Sequence, residues 1–83
     1  MNEEQIELLK QLIKEEDRLV RVGDARASYG GGCIPGWQGF CDRANLDWKA
    51  VTRRGLYASE LLKIDDIMVL DLLAFKYRDK LGI

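Results

Sequence analysis

Histidine is absent from this sequence of 83 residues, and two cysteines are too few to build an ordinary structural zinc site. We therefore exclude histidine-based catalysis and zinc modules, and we predict neither a metal nor a cofactor. Long hydrophobic runs are missing as well: no apolar run is longer than Ile67–Leu70, far short of the roughly 20 residues that span a bilayer. Because no basic and apolar leader segment opens the sequence, we expect a chain that stays in the cytoplasm.

The composition that remains is typical of a small folded domain. Apolar residues make up 47% of the chain and charged residues 33%, which is the balance of a globular protein and not of a disordered tail. At this length we expect a single domain over residues 1–83 with a modest hydrophobic core. The net charge of −1 does not indicate a general nucleic-acid binder.

The charge is distributed unevenly along the chain. Residues 1–20 carry six acids and three bases, residues 21–54 carry six bases and three acids, and residues 55–83 carry five acids and four bases. The basic middle can pack against the acidic first segment, or it can form a surface for an acidic partner. Because the middle holds only six bases, intramolecular pairing with the first segment is the simpler expectation.

The spacing of apolar residues predicts a first helix from about Glu3 to Val20, inside an N-terminal helical segment of residues 1–22. Asn2 and Gln5 can form a capping pair at its start. The apolar side chains fall in one arc at the helical period, which predicts one buried face and one exposed face. They are Ile6, Leu8, Leu9, Leu12, Ile13, Leu19 and Val20.

Residues 23–34 predict a glycine-rich loop, because they have no helical period and contain the run Gly30–Gly32. Gly23 is expected to end the first helix. Consecutive glycines cost much conformational entropy to order, so the loop is either mobile or held by a partner. The Gly-Lys-Ser/Thr end of a phosphate-binding loop is missing, which argues against nucleotide binding.

Residues 35–83 predict a helical core with two or three short helices and a long hydrophobic last helix. Pro35 suits the first turn of a helix over about 36–44, and Asn45 suits its end. This helix carries an apolar stripe that we expect to be buried, formed by Trp37, Phe40, Cys41 and Ala44. No strand-like alternation of apolar and polar residues is present, so the predicted fold class is all-α.

Asp47 can cap the next short helix, over about 47–54, with Trp48 and Val51 buried. Gly55 is expected to end this helix.

Ser59 can cap a further short turn, and the last helix is expected to start at Asp65 or Asp66 and to run to about Lys80. Its first half is apolar on nearly every side, which is typical of a helix in the centre of a bundle or in an interface. We therefore expect that part of this helix, or the apolar arc of the first helix, is shared with another chain, and a homodimer is the simplest arrangement.

Two groups of residues could suggest catalysis. Asp65-Asp66 with Glu60 could form an acid/base pair, but helix capping explains acids at this position without chemistry. Cys33 lies at a helix entrance without a general base, and Cys41 lies in the apolar stripe as a small hydrophobic side chain. A disulfide between them is sterically conceivable, although a cytoplasmic chain keeps its thiols reduced. We do not predict an enzyme.

The basic residues of the middle segment favour binding instead. Two adjacent short helices with bases have the approximate spacing of a helix-turn-helix, so a DNA-binding regulator is one hypothesis. Against this hypothesis, the second helix is short, and the longer helix after it is apolar and acidic at its start, whereas a reading helix needs polar, base-reaching side chains at its N-terminal end. Arginines and aromatic residues are also typical anchors of protein interfaces, and loops become ordered on partners. The predicted partner-binding face combines the loop with the basic cluster: Arg26, Tyr29, Arg43, Lys49, Arg53 and Arg54.

A spaced pattern runs through the second half of the chain. It consists of Leu46-Asp47-Trp48-x-x-Val51-x-Arg53-x-Gly55-Leu56, then Ala58-x-Glu60-Leu61-Leu62, then Asp66-x-Met68. From Cys33 to Leu73, about half of the chain, this pattern resembles a family of small proteins encoded by tailed phages and prophages. Val51 departs from the pattern, which usually has phenylalanine at that place.

The resemblance implies a phage origin, with a location in the cytoplasm of a bacterial host or in the virion. Most residues of the pattern cap helices or pack, so the pattern specifies a fold without a chemical centre. Together with the basic cluster, it favours a non-enzymatic accessory protein that binds a protein partner, either in virion assembly or as an inhibitor of a host protein. A nucleic-acid partner is the alternative.

Overall fold

The computed structural model describes residues 1–28 and 34–82, and most of these residues are helical. The all-α prediction is confirmed at this level, although a short pair of strands is also present. In chain order the elements are α1 (Glu3–Glu15), β1 (Leu19–Val20), α2 (Val22–Ala27), α3 (Ile34–Arg43), α4 (Trp48–Arg54), β2 (Leu56–Tyr57), α5 (Ala58–Leu62), α6 (Ile67–Lys76) and α7 (Arg78–Leu81). None of the described helices combines the length and apolar character that crossing a bilayer requires.

Helix α1 begins as predicted and ends earlier than predicted. The Asn2 side chain accepts a hydrogen bond from the Gln5 amide at 2.8 Å, and the Gln5 side chain accepts one from the Asn2 amide at 3.1 Å. This reciprocal capping satisfies two amide groups that a helix start otherwise leaves without partners. At the other end, the backbone becomes extended at Glu16, so the predicted continuation to Val20 is wrong.

Contacts with distant residues end α1. The Tyr77 hydroxyl donates a hydrogen bond to the Glu16 carbonyl at 2.6 Å and accepts one from the Arg18 amide at 2.9 Å. The Arg18 guanidinium donates to both carboxylate oxygens of Asp79, at 2.8 and 3.1 Å, and lies 4.8 Å from the centroid of the Tyr77 ring. These contacts replace helical hydrogen bonds. We refer to Glu16, Arg18, Tyr77 and Asp79 as the Tyr77 clasp.

Strand β1 pairs antiparallel with β2, in a register that places Leu19 opposite Tyr57 and Val20 opposite Leu56. Gly55 ends α4 as predicted, with a φ of 78°. A Cβ atom at this position would lie 2.8 Å from the Val20 carbonyl oxygen. Glycine is therefore required here both by its backbone conformation and by the close approach of β1.

The predicted loop over residues 23–34 is partly helical. Gly23 lies within α2 and does not end a helix. The Asp24 side chain accepts a hydrogen bond from the Arg21 amide at 2.9 Å and forms an ion pair with Lys76 at 3.1 Å, which fastens α2 to α6. Residues 29–33, with the predictions made for Tyr29 and Cys33, lie outside the described residues.

Helix α3 buries Trp37, Phe40 and Cys41 almost completely, as predicted, whereas Ala44 follows the end of α3 and is only partly buried. The Trp37 and Phe40 rings are in contact, with 5.7 Å between their centroids. The Trp37 indole donates a hydrogen bond to the Thr52 hydroxyl at 3.0 Å and so joins α3 to α4. Asn45 adopts a φ of 59° just after α3, which agrees with its predicted role at the helix end.

Helix α5 does not use Ser59 as its cap. Glu60 accepts a hydrogen bond from the Tyr57 amide at 2.8 Å and thereby closes the first turn. The Ser59 amide and hydroxyl instead donate to the Asp17 carboxylate, at 3.0 and 2.5 Å. Asp17 thus fixes the segment after α1 to the start of α5.

The predicted long hydrophobic C-terminal helix is not formed as one element. Asp66 caps α6 as predicted, by accepting from the Met68 amide at 3.0 Å. The helix ends at Lys76, and α7 follows after Tyr77, whose φ of −110° interrupts the helix while its ring is buried in the clasp. Most of the described apolar side chains of α6 are buried within this chain, among them Val69, Leu72, Leu73 and Ala74. The shared helix and the homodimer stay predictions.

Candidate partner-binding site

The structure places Arg43, one of the predicted binding residues, in an ion pair within the fold. Its guanidinium donates to both carboxylate oxygens of Asp66, at 2.7 and 3.3 Å. Hydrogen bonding to Arg43, and then to the Met68 amide, holds the pKa of Asp66 below its usual range. Because Asp66 also caps α6, Arg43 links the end of α3 to the start of α6. We therefore do not include it in the candidate site.

The remaining predicted bases are exposed on α2 and α4. Arg54 lies 3.7 Å from Glu60, and both side chains are exposed, so this ion pair contributes little to stability. Among the described residues, no carboxylate forms an ion pair with Arg26, Lys49 or Arg53. Within the described part of the chain, the charges of these three side chains are therefore not balanced by an ion pair.

The ion pairs in the structure also show whether the basic middle pairs with the acidic first segment, as expected. Among the described residues, no ion pair joins residues 1–20 to residues 21–54. The ion-paired bases of the middle, Arg43 and Arg54, contact acids of the last third of the chain instead. The expectation that the basic middle pairs with the acidic first segment is therefore wrong. The fold instead brings α3 and α4 close to Glu60 and Asp66, the acids at the starts of α5 and α6.

Lys49 and Arg53 lie one turn apart on α4 and share a surface depression of about 360 Å³ with Trp48 and Thr52. The Lys49 ammonium group lies 6.0 Å from the centroid of the Trp48 ring. Asp47 accepts from the Lys49 amide at 3.2 Å and so fixes the first turn of the helix. The depression therefore lies on an element that is capped at one end and bonded to Trp37 through Thr52.

The position of Trp48 differs from the prediction. Val51 is buried, as predicted, whereas Trp48 is only half-buried. Trp37 fills the interior next to α4, with 2% of its surface exposed. Trp48, at the first position of α4, packs against the core with part of its indole and leaves the rest at the surface.

Arg21 joins this surface, although the sequence did not predict it. Its guanidinium donates to the carbonyl of Arg53 at 3.3 Å, across 32 residues of chain. Nothing in the local pattern around Arg21 marks it as a site residue, because only the β1–β2 pairing brings it to the end of α4. We refer to Arg21, Trp48, Lys49 and Arg53 as the α4 patch.

The groups considered for catalysis are engaged elsewhere. Asp66 caps α6 and binds Arg43, and Glu60 accepts from the Tyr57 amide. Cys41 is a free and buried thiol, and burial raises its pKa, which disfavours the thiolate form. Among residues 1–28 and 34–82, no cluster of cysteine and acidic side chains is arranged to hold a metal ion.

Comparison with known proteins gave no match for this chain, whether against protein-family models, curated proteins or solved structures.

Proposed function

We propose that this chain is a phage-type accessory protein that acts without catalysis, by binding an acidic partner protein through the α4 patch. The observation that carries the proposal is the partly buried Trp48 indole in one depression with Lys49 and Arg53, two bases for which the described residues supply no carboxylate. The resemblance to small phage proteins supports a phage origin, and virion assembly and the inhibition of a host protein are the two roles that we propose for such a binding protein.

The chemistry of the α4 patch suits a protein interface. The part of the Trp48 indole that lies at the surface offers apolar area at a small cost in side-chain entropy, and arginine and tryptophan are enriched among the residues that dominate binding energy. The cap at Asp47 and the bond between Trp37 and Thr52 hold α4 in place before binding. A surface that is already ordered pays less entropy on association.

The proposal is tested by capture from phage-infected cells, followed by affinity measurements with the purified partner. We expect the double variant Lys49→Glu/Arg53→Glu to weaken binding by about tenfold or more, which is about 1.4 kcal/mol. Trp48→Ala should weaken binding by about 30-fold if the indole is a central anchor. Since Trp48 is half-buried, this substitution should also lower the free energy of unfolding by about 1 kcal/mol.

Lys80→Glu is the matched control, because Lys80 is exposed on α7, outside the α4 patch. It should bind the partner as the wild type does. Unchanged binding by both α4 variants, measured at a temperature at which both are folded, would contradict the proposal.

A DNA-binding regulator is the alternative, and the short turn of residues 44–47 between α3 and α4 favours it. The exposed carboxylates of Asp42 and Asp47 flank this turn and would repel phosphates. If the chain does bind DNA through the α4 patch, its affinity falls steeply with salt, and Lys49→Glu/Arg53→Glu reduces the slope. Measurable binding of DNA whose affinity falls steeply with salt, and whose salt slope Lys49→Glu/Arg53→Glu reduces, would therefore support the regulator over the protein-binding proposal.

A further inference from the structure

A second depression lies between α1 and α5 and shares no lining residue with the α4 depression. Its volume is about 570 Å³, which is within the range of sites that hold small ligands or a few side chains. The apolar part of its lining includes Ile13 and Leu62, and the exposed lysines Lys10, Lys14 and Lys63 surround it. We refer to this depression as the α1–α5 groove.

The carboxylates of the α1–α5 groove are already engaged. Asp17 accepts two hydrogen bonds from Ser59, through the amide and the hydroxyl. Glu7 lies 3.6 Å from the ammonium group of Lys10 on the next turn of α1. Among the described residues, no carboxylate forms an ion pair with Lys14 or Lys63. Asp17 keeps its negative charge while it accepts the Ser59 hydrogen bonds, so the three lysines and two carboxylates of the lining leave the groove with a net charge of +1 beside its apolar surface.

We propose that the α1–α5 groove binds a short acidic segment of a partner protein. An apolar side chain of the segment enters between Ile13 and Leu62, and flanking aspartates or glutamates contact Lys14 and Lys63. Apolar contact supplies the affinity, while the two ammonium groups select acidic over basic segments. This site is separate from the proposed function of the α4 patch, and either can hold without the other.

The helices that form the groove place an apolar and a basic side chain on each of its sides, which matches a segment with apolar and acidic side chains. Ile13 and Lys14 are neighbours on the last turn of α1, where Ile13 is 4% exposed and Lys14 points to solvent. Leu62 and Lys63 repeat this arrangement at the end of α5. The Asp17–Ser59 hydrogen bonds fix α5 to the chain after α1, so the two apolar–basic pairs are held on opposite sides of one groove.

Selection from a library of random short peptides tests the proposal with the full chain as the target. We expect the recovered peptides to share a Leu, Ile, Phe or Met flanked by Asp or Glu. Synthetic copies of these peptides should bind Lys14→Glu/Lys63→Glu about tenfold more weakly than the wild type, as two exposed charge contacts of about 0.7 kcal/mol each imply. Their affinity should also fall as the salt concentration rises.

The peptides are also measured against Lys49→Glu/Arg53→Glu, because a peptide that this variant binds more weakly occupies the α4 patch and counts against the proposal. Lys80→Glu is the control, since Lys80 is exposed on α7 and lines neither depression. It should bind the peptides as the wild type does, and all three variants should melt near the wild-type temperature. Recovery of neutral or basic peptides, recovery of none, or equal binding by Lys14→Glu/Lys63→Glu would overturn the proposal. Self-association of the wild type that Lys14→Glu/Lys63→Glu abolishes would also overturn it, because a second copy of the chain would then occupy the groove.

Discussion

The Tyr77 clasp and the α4 patch use arginine side chains in opposite ways. In the clasp, Arg18 donates to Glu16, Asp79 and the carbonyl of Lys76, and only 20% of its side chain is exposed. In the α4 patch, Arg53 is exposed, and no described carboxylate forms an ion pair with it. An arginine with several partners inside the fold, such as Arg18, has a structural role. An exposed arginine without an ion pair, such as Arg53, is the better candidate for a binding residue.

The largest loss of stability is expected when the Tyr77 ring, at the centre of the clasp, is removed. Tyr77→Ala deletes a fully buried ring and both of its hydroxyl hydrogen bonds, so we expect a loss of about 3–5 kcal/mol in the free energy of unfolding. Tyr57→Ala is the matched control, because half of Tyr57 is exposed, and its loss should be much smaller. Chemical denaturation measures both. Equal losses would show that the clasp does not hold the fold.

A smaller effect is expected from the arginines themselves. Arg18→Gln removes hydrogen bonds to two carboxylates and a carbonyl, and we expect a loss of about 2 kcal/mol in the free energy of unfolding. Arg53→Gln should change stability by less than about 0.5 kcal/mol, as is usual for exposed positions. If thermal denaturation shows similar losses for the two variants, the distinction between the two regions is wrong.

The smallest effect concerns pH. Hydrogen bonding to Arg18 lowers the pKa of Asp79 from its usual 3.8 to about 2. A depressed pKa means that the stabilising contribution is complete above the unfolded value and is lost as pH falls through the folded value. We therefore expect wild type and Asp79→Asn to differ in stability at pH 6 and to converge between about pH 4 and pH 2. A difference that persists unchanged at pH 2 would contradict this role of the carboxylate.

Some features of the fold were predictable because each depends on a local side chain. Asn2, Asp47 and Asp66 cap helices at the predicted places, and Gly55 ends α4. The end of α1 was not predictable from the local sequence. The backbone groups of Glu16 and Arg18 bond to the Tyr77 hydroxyl instead of continuing the helix, and Tyr77 is 61 residues away from Glu16. The same tyrosine divides the predicted last helix, so one distant contact accounts for both errors.

The candidate site was predictable only in part. Lys49 and Arg53 were expected at the binding face, and they do share one depression. Arg43 was expected there as well, but periodicity cannot show that the cap of a later helix takes up its charge. Trp48 and Val51 follow the same helical period, yet the interior beside α4 is filled by Trp37. Competition between two large side chains for one interior position is not visible in a local pattern.

The length of chain between the two halves of the Tyr77 clasp also has a consequence during synthesis. Glu16 and Tyr77 are 61 residues apart, so their hydrogen bond cannot form until Tyr77 has left the ribosome. Until then Leu9 and Ile13, which are buried in the finished fold, lack the later helices that cover them. Contacts of such separation also carry a high loop-closure entropy and form slowly. The nascent chain therefore cannot close the Tyr77 clasp before Tyr77 has emerged, and chaperones that recognise apolar helices can bind α1 before that point.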